Sequence, residues 1–231
     1  MKVCFVGMGS IAKRHIKNIH GIDRNIEIDV MHHSKISHED EDTRDGRYIS
    51  KHYYSVNDLP NDYDVIFITN PTKYHFETLK QVHDKSVHFF IEKPVFMNGT
   101  EDIKTLKLRK TSIYYVACPL RYTSVLRYVK ENINMDDVYS IRAISSSYLP
   151  DWRTNIDYRK TYSASKILGG GVEIDLIHEW DYLIWLFGQP QRVLSMTGKK
   201  SELEIDSNDI AVYLAEYKDK IFEAFSREDN D

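Results

Sequence analysis

The stretch KVCFVGMGSIAKRHIKNIH, residues 2–20, limits the possible folds more than any other part of this chain. A short apolar run, Lys2–Val6, meets Gly7-Met8-Gly9-Ser10-Ile11-Ala12 and passes at once into a segment whose Ile11, Ala12, Ile16 and Ile19 keep helical spacing. This is G-x-G-x-x-A set between a strand and a helix. In a dinucleotide fold the first glycine permits the tight turn and the second lets a pyrophosphate approach the backbone. The third small residue lets helix and strand pack closely, and the helix N-terminus faces the phosphates. The pattern predicts cofactor contacts at Gly7, Gly9, Ser10, Ile11 and Ala12. A structural glycine turn, or another Rossmann ligand such as a methyl donor, is the competing reading.

The following segments repeat the alternation. IEIDVMHH (26–33), DVIFITNP (64–71), VHFFIEKP (87–94) and SIYYVACP (112–119) read as strands, and YHFETLKQVH (74–83) as a helix. HEDEDTRDGR (38–47) reads as a solvated loop or helix edge. Nearly continuous apolar strands separated by helices predict a parallel sheet covered on both faces. The expected class is α/β: a Rossmann domain over 1–117, then a smaller α+β domain with a mixed or antiparallel sheet over 118–231. With 42% hydrophobic and 29% charged residues the chain is of globular type. Its net charge of −4 supplies no basic field for nucleic acid. No apolar run has the length of a membrane span, and MKVCFVG is too short and too soon broken by glycine to be a signal peptide. Cys4 and Cys118, both in β-like runs and without C-x-x-C spacing, read as buried free thiols of a reducing cytoplasm, with no metal site.

The end of the second strand bears on cofactor choice. Asp29 lies about 20 residues past Gly9, but alternation puts it inside the strand rather than at its tip. The tip reads His32-His33-Ser34-Lys35. Cationic and hydroxyl groups such as His33 and Ser34 suit a 2′-phosphate, which tilts the reading from NAD to NADP. A plain polar strand end is the alternative.

GGGVEIDLIHEWDYLIWLFG, residues 169–188, predicts one helix with Asp175, His178, Glu179 and Tyr182 in a single stripe. Leu176, Ile177, Trp180, Leu183, Ile184 and Phe187 fall opposite. The polar stripe is either a solvated face or the wall of a site. The three glycines allow close backbone approach, and an uncommon dihedral, before the helix.

Glu92-Lys93-Pro94 at a strand end, after G-x-G-x-x-A and the segment TNPTKYH, resembles the glucose–fructose oxidoreductase and inositol dehydrogenase family. The resemblance covers essentially the whole chain. It implies a Rossmann domain followed by a mixed α/β domain whose open sheet often mediates oligomer contacts. By that resemblance Thr69, Asn70, Pro71 and His75 run beside the nicotinamide half of the cofactor. Glu92 belongs to the same cofactor motif, and Lys93 contacts the nicotinamide region and the substrate. Arg121 and Tyr122 of CPLRY lie in the link to the second domain, and Trp152 and Arg153 of LPDWR reach back to the cofactor. Asp175 and His178 fall at the catalytic aspartate and histidine. Tyr122 and Arg159 join Lys93, Asp175 and His178 as candidate substrate contacts. LPDWR, DYRKTYSA and the glycine-led helix resemble a branch associated with surface-sugar or sugar-nucleotide gene clusters.

Two features depart from the family pattern. Asp175 and His178 stand three residues apart where the family has four, which leaves Asp175, Glu179 and Asp181 as alternatives for the working acid. Family members also commonly continue beyond the hairpin read in DIAVYLAEYKDKIFEAFSREDND, 209–231, so a truncated or shortened form is expected. The chemistry implied is hydride transfer between NAD or NADP and a hydroxyl or carbonyl of a sugar, sugar nucleotide or related polyol. His178 titrates nearest neutrality and is the natural proton handler; Asp175 or Asp181 fixes its tautomer, and the Lys93 ammonium polarises the carbonyl. A homo-oligomer through the second sheet is implied. The alternatives are a dinucleotide-binding regulator or assembly protein without turnover, and an NAD-dependent enzyme that cleaves glycosidic bonds.

Overall fold

Alternation along the first strand sends Val3 and Phe5 to one face of a sheet and Cys4 and Val6 to the other, and all four are buried. Such a strand needs cover on both sides. The computed structural model, which describes residues 1–33, 46–153 and 155–228, shows how it is supplied. The chain divides into two units, Met1–Ala117 and Cys118–Asp231.

In the first unit β1 (Lys2–Val6), α1 (Ser10–Ile22), β2 (Glu27–Met31), β3 (Lys51–Tyr53), β4 (Tyr63–Ile68), α2 (His75–Val82), β5 (Ser86–Ile91) and β6 (Tyr114–Val116) follow in sequence. The sheet order is β3-β2-β1-β4-β5-β6, with every neighbouring pair parallel. Ala12 and Ile16 of α1 pack with Val3, Phe5, Ile28 and Val30 on one face. Leu79 and Val82 of α2 pack with Cys4, Val6, Ile66 and Ile68 on the other. This is the expected α/β Rossmann architecture. Edge strand β3 was not anticipated, because KHY carries no apolar alternation. Cys118 is a correction: β6 stops at Val116 and Cys118 lies beyond it, half-buried. Cys4 is buried, and burial pushes its thiol up to about 12.

The second unit holds α3 (Ser124–Asn132), β7 (Ser140–Ser146), α4 (Val172–Asp175), α5 (His178–Phe187), β8 (Arg192–Gly198), β9 (Ile210–Glu216) and β10 (Ile221–Arg227). Its sheet, β7-β10-β9-β8, is mixed: β7 and β10 run parallel and the other pairs antiparallel. Leu183 joins Ala143, Ala215, Phe222 and Ala224 in a core on one face, with Trp180, Tyr182 and Phe187 packed against it. The single helix expected over 169–188 is therefore corrected. Leu176 leaves helical geometry (φ −100°, ψ 35°), α4 ends before it, and α5 restarts at His178. Tyr182 also leaves the polar stripe, since its ring packs on the core. Among the described residues no helix is long and apolar enough to cross a membrane.

Candidate active site

The sheet order gathers the sequence motifs at one edge, because the C-terminal ends of parallel neighbours lie side by side. Gly7 N–H donates to Met31 O (2.9 Å), Thr69 N–H to Val6 O (3.0 Å) and Glu92 N–H to Ile68 O (3.0 Å). These bonds tie the exits of β2, β1, β4 and β5 into one rim. Gly7 has φ +92°, and a Cβ there would stand 2.8 Å from Asn70 Cα. Its glycine is required by the turn and by the neighbouring loop. Around Gly9, in contrast, an added Cβ meets nothing within 4 Å among the described residues. Lys13 N–H closes the first bond of α1 onto Gly9 O (3.1 Å), so helix geometry leaves the N–H groups of Ser10, Ile11 and Ala12 without intrahelical partners. Gly9, at the N-cap, offers no capping side chain, and the first turn of α1 is free of acids. Open space, orphan donors and a positive helix end fit a bound pyrophosphate.

The loop after β4 is held from within. Thr69 Oγ1 donates to Val6 O and Gly7 O, both at 3.0 Å, and Asn70 Nδ2 donates to Thr78 Oγ1 (2.7 Å). Pro71 precedes the short turn that leads into α2. His75 is only 1% exposed. One ring nitrogen lies 2.8 Å from Asn70 O, and the other 3.0 Å from Pro94 O and 3.2 Å from Val95 O. Burial lowers its pKa, against the pull of those carbonyls. Glu92 is buried, with Oε1 2.6 Å from His15 Nε2. Lys93 follows, half-buried, at the end of β5.

Within β2, Asp29 is fully buried and accepts from Tyr63 Oη (2.7 Å). His32 turns inward to His52 (2.8 Å), while exposed His33 stacks on Tyr74, ring centroids 5.2 Å apart. Ser34 lies outside the described residues.

In the second unit Asp175 is 2% exposed, and its Oδ1 accepts from Tyr162 Oη at 2.6 Å. Burial, followed by the charge of Asp175, pushes the Tyr162 hydroxyl above the usual tyrosine range. His178 is half-buried at the first position of α5. Of the alternative acids, Glu179 is buried, and Asp181 is held by Arg121 through a two-pronged ion pair, Nε to Oδ2 at 3.0 Å and Nη2 to Oδ1. Arg121 thus braces α5 from the turn that contains exposed Tyr122. Trp152 donates from its indole N–H to Ser147 Oγ, and Arg153 is exposed. Arg159 pairs with Asp157 (2.8 Å) and Glu204 (2.9 Å) on the surface. The glycine run serves the chain itself. Gly169 and Gly171 have φ +87° and +130°. A Cβ on Gly170 would fall 2.3 Å from Tyr162 O and 2.4 Å from Ser163 O.

Sequence reasoning missed His15, Tyr63 and Tyr162. Helical spacing cannot separate His15 from a surface histidine, and its partner lies 77 residues away.

A parallel Rossmann sheet with an open glycine turn, followed by a mixed-sheet α/β unit, defines a two-domain chain of dinucleotide-binding type. Residues 1–116 match the model described as oxidoreductase family, NAD-binding Rossmann fold, and residues 130–228 that of the family's C-terminal alpha/beta domain. The chain belongs to the Gfo/Idh/MocA oxidoreductase family. It is 26% identical over 188 residues to the uncharacterized oxidoreductase YrbE of Bacillus subtilis, covering 79% of this chain and 52% of that protein. It thus spans about half the length of the curated relatives it matches. The WlbA dehydrogenase of Bordetella pertussis, solved with NADH and UDP-GlcNAcA, shares the fold at TM-score 0.80 and 17% identity. That match covers 100% of this chain and 73% of WlbA. Myo-inositol 2-dehydrogenase of Lactobacillus plantarum does so at TM-score 0.77 and 18% identity, covering 98% of this chain and 69% of that one.

Proposed function

We propose that this chain carries the cofactor-binding and catalytic residues of an NAD(P)-dependent oxidoreductase acting on a CH–OH group of a sugar, sugar nucleotide or related polyol. The observation that carries the reading is the rim of the first sheet, where an uncrowded Gly9 and an uncapped helix end share an edge with Lys93. When bound, the nicotinamide supplies the hydride chemistry; the protein supplies position and charge. The N–H groups opening α1 hold the pyrophosphate. His178 takes or returns the proton of the reacting hydroxyl. Asp175, fixed by Tyr162, is favoured over Asp181 as its acidic partner, because Arg121 already holds Asp181. Lys93 places a positive charge by the substrate oxygen. The sugar class is supported by structural neighbours named as a WlbA dehydrogenase, solved with UDP-GlcNAcA, and a myo-inositol 2-dehydrogenase.

With Asp29 turned inward and His33 at the tip of β2, NADP(H) is favoured over NAD(H). Cys4 and Cys118, neither of them in a disulfide, support a reducing cytoplasm as the compartment. The open face of the second sheet is read as a homo-oligomer contact. Lys93→Ala and His178→Ala are each expected to lower turnover by roughly two to four powers of ten while keeping most cofactor affinity. The assay is NAD(P)H absorbance over a panel of sugars, inositols and UDP-sugars. Undiminished turnover in both variants would remove the mechanism.

A further inference from the structure

Two histidines, His75 buried and His15 half-buried, grip the chain on either side of Lys93, and each ties it to a different motif of the same rim. On the N-terminal side, Glu92 meets His15 of α1, with Nε2 to Oε1 at 2.6 Å. With the carboxylate as acceptor, this bond is donated by the Nε2–H tautomer of His15. The imidazole itself is wedged against Phe90 and Phe67, at centroid distances of 5.1 and 6.0 Å, which limits its rotation. On the C-terminal side, His75 stands between Asn70 O at 2.8 Å and the carbonyls of Pro94 and Val95 at 3.0 and 3.2 Å. Carbonyls also only accept, so a neutral ring hydrogen-bonds to one side only and meets the other by packing. Either way the ring fills the gap between the Asn70 turn and the turn after Lys93, in a place 1% exposed to solvent.

We propose that His15 and His75 are positioning residues that together clamp residues 92 and 94–95, so fixing Lys93 relative to the glycine helix and the Asn70 loop. The proposal rests on the cofactor reading above. A lysine is a flexible point charge on a four-carbon stem. Its usefulness at a reacting oxygen depends on where its backbone is held, and a misplacement of about 1 Å costs on the order of 10²-fold in rate. Neither histidine needs to touch the cofactor for this role, and His75 is enclosed by protein backbone.

The test reads Lys93 directly and needs no substrate. The full chain is treated with a small lysine-acetylating ester, alone and with saturating NADPH or NADH, and Lys93 acetylation is followed by mass spectrometry. Affinity for ADP-ribose and 2′-phospho-ADP-ribose, which lack the nicotinamide, is measured by calorimetry alongside. In the unaltered protein the reduced cofactor should slow Lys93 acetylation about tenfold; in His15→Leu and His75→Phe that protection should fall to about twofold, with affinity for the truncated nucleotides kept within about threefold. His15→Gln retains an N–H that reaches Glu92 and should restore the protection. A general loss of structure would lower the truncated-nucleotide affinity and the protection together and would not be rescued. His15 is 20% exposed, so His15→Leu carries the test even where His75→Phe does not fold. Undiminished protection of Lys93 in the folded Leu and Phe variants overturns the clamp. Failure of the unaltered chain to bind any of these nucleotides overturns the cofactor reading itself, and the clamp's role with it. Binding that leaves Lys93 equally reactive overturns the placement of Lys93 alone.

Discussion

Two glycines two residues apart do opposite work. Gly7 is demanded by the fold, since it combines φ +92° with backbone of Asn70 inside the radius of a methyl group. Gly7→Ala should therefore cost about 1–3 kcal/mol, read as a lowered midpoint in thermal unfolding. Among the described residues Gly9 has nothing within 4 Å of a Cβ. Gly9→Val should leave the thermal midpoint close to that of the parent while crowding the pyrophosphate and abolishing measurable cofactor binding. A Gly9→Val protein that folds and still binds with parental affinity would move the phosphate site elsewhere. At the end of the second sheet Glu228 is fully buried; burial first, then the charges of Asp175, Glu173 and Asp209, push its carboxyl up to about 8. The native state thus keeps a proton that the unfolded chain, at its ordinary value of 4.5, gives up. Stability from this group is complete below that lower value and is lost as pH rises through about 8. Glu228→Gln cannot ionise, so it should flatten the fall in thermal midpoint between pH 5 and pH 8.5. An unchanged slope would mean that Glu228 is not the titrating group.

Elements that bury both faces announce themselves in sequence. β1, β4 and β5 are nearly continuous apolar runs, and the glycine motif locates the first turn between the flanking strand and helix, so the α/β class follows from the chain alone. β3 does not announce itself: three residues at a sheet edge owe their place to pairing with β2, not to their own pattern. The helix at 169–188 fails for another reason. Periodicity there is helical throughout, but Gly170 is pressed against the carbonyls of Tyr162 and Ser163, and the chain breaks at Leu176 between α4 and α5. Gly170→Ala forces that backbone apart and should cost at least about 2 kcal/mol in urea unfolding; a neutral substitution would show that the contact yields. The motif residues were legible, whereas the groups that hold them were not. His15 on Glu92, Tyr162 on Asp175 and Arg121 on Asp181 pair residues 77, 13 and 60 positions apart. One-dimensional spacing carries no trace of them.

For the molecule as a whole, the second sheet turns one face to α5 and leaves the other open. On the open face Ile144, Phe225, Val212 and Met196 lie in one cross-strand row, with Ile144 64% and Met196 78% exposed. An apolar row crossing four strands is a surface that favours association. Met196→Asp with Ile144→Asp should shift the protein towards monomer in sedimentation velocity; a parent that is already monomeric at tens of micromolar would remove the oligomer reading. Whether the first unit works as a dinucleotide site is decided by calorimetric titration of the purified chain with NADPH and, separately, NADH. Micromolar binding is expected, tighter for NADPH and absent in Gly9→Val. A folded chain that binds neither nucleotide would show that the glycine rim is not a cofactor site.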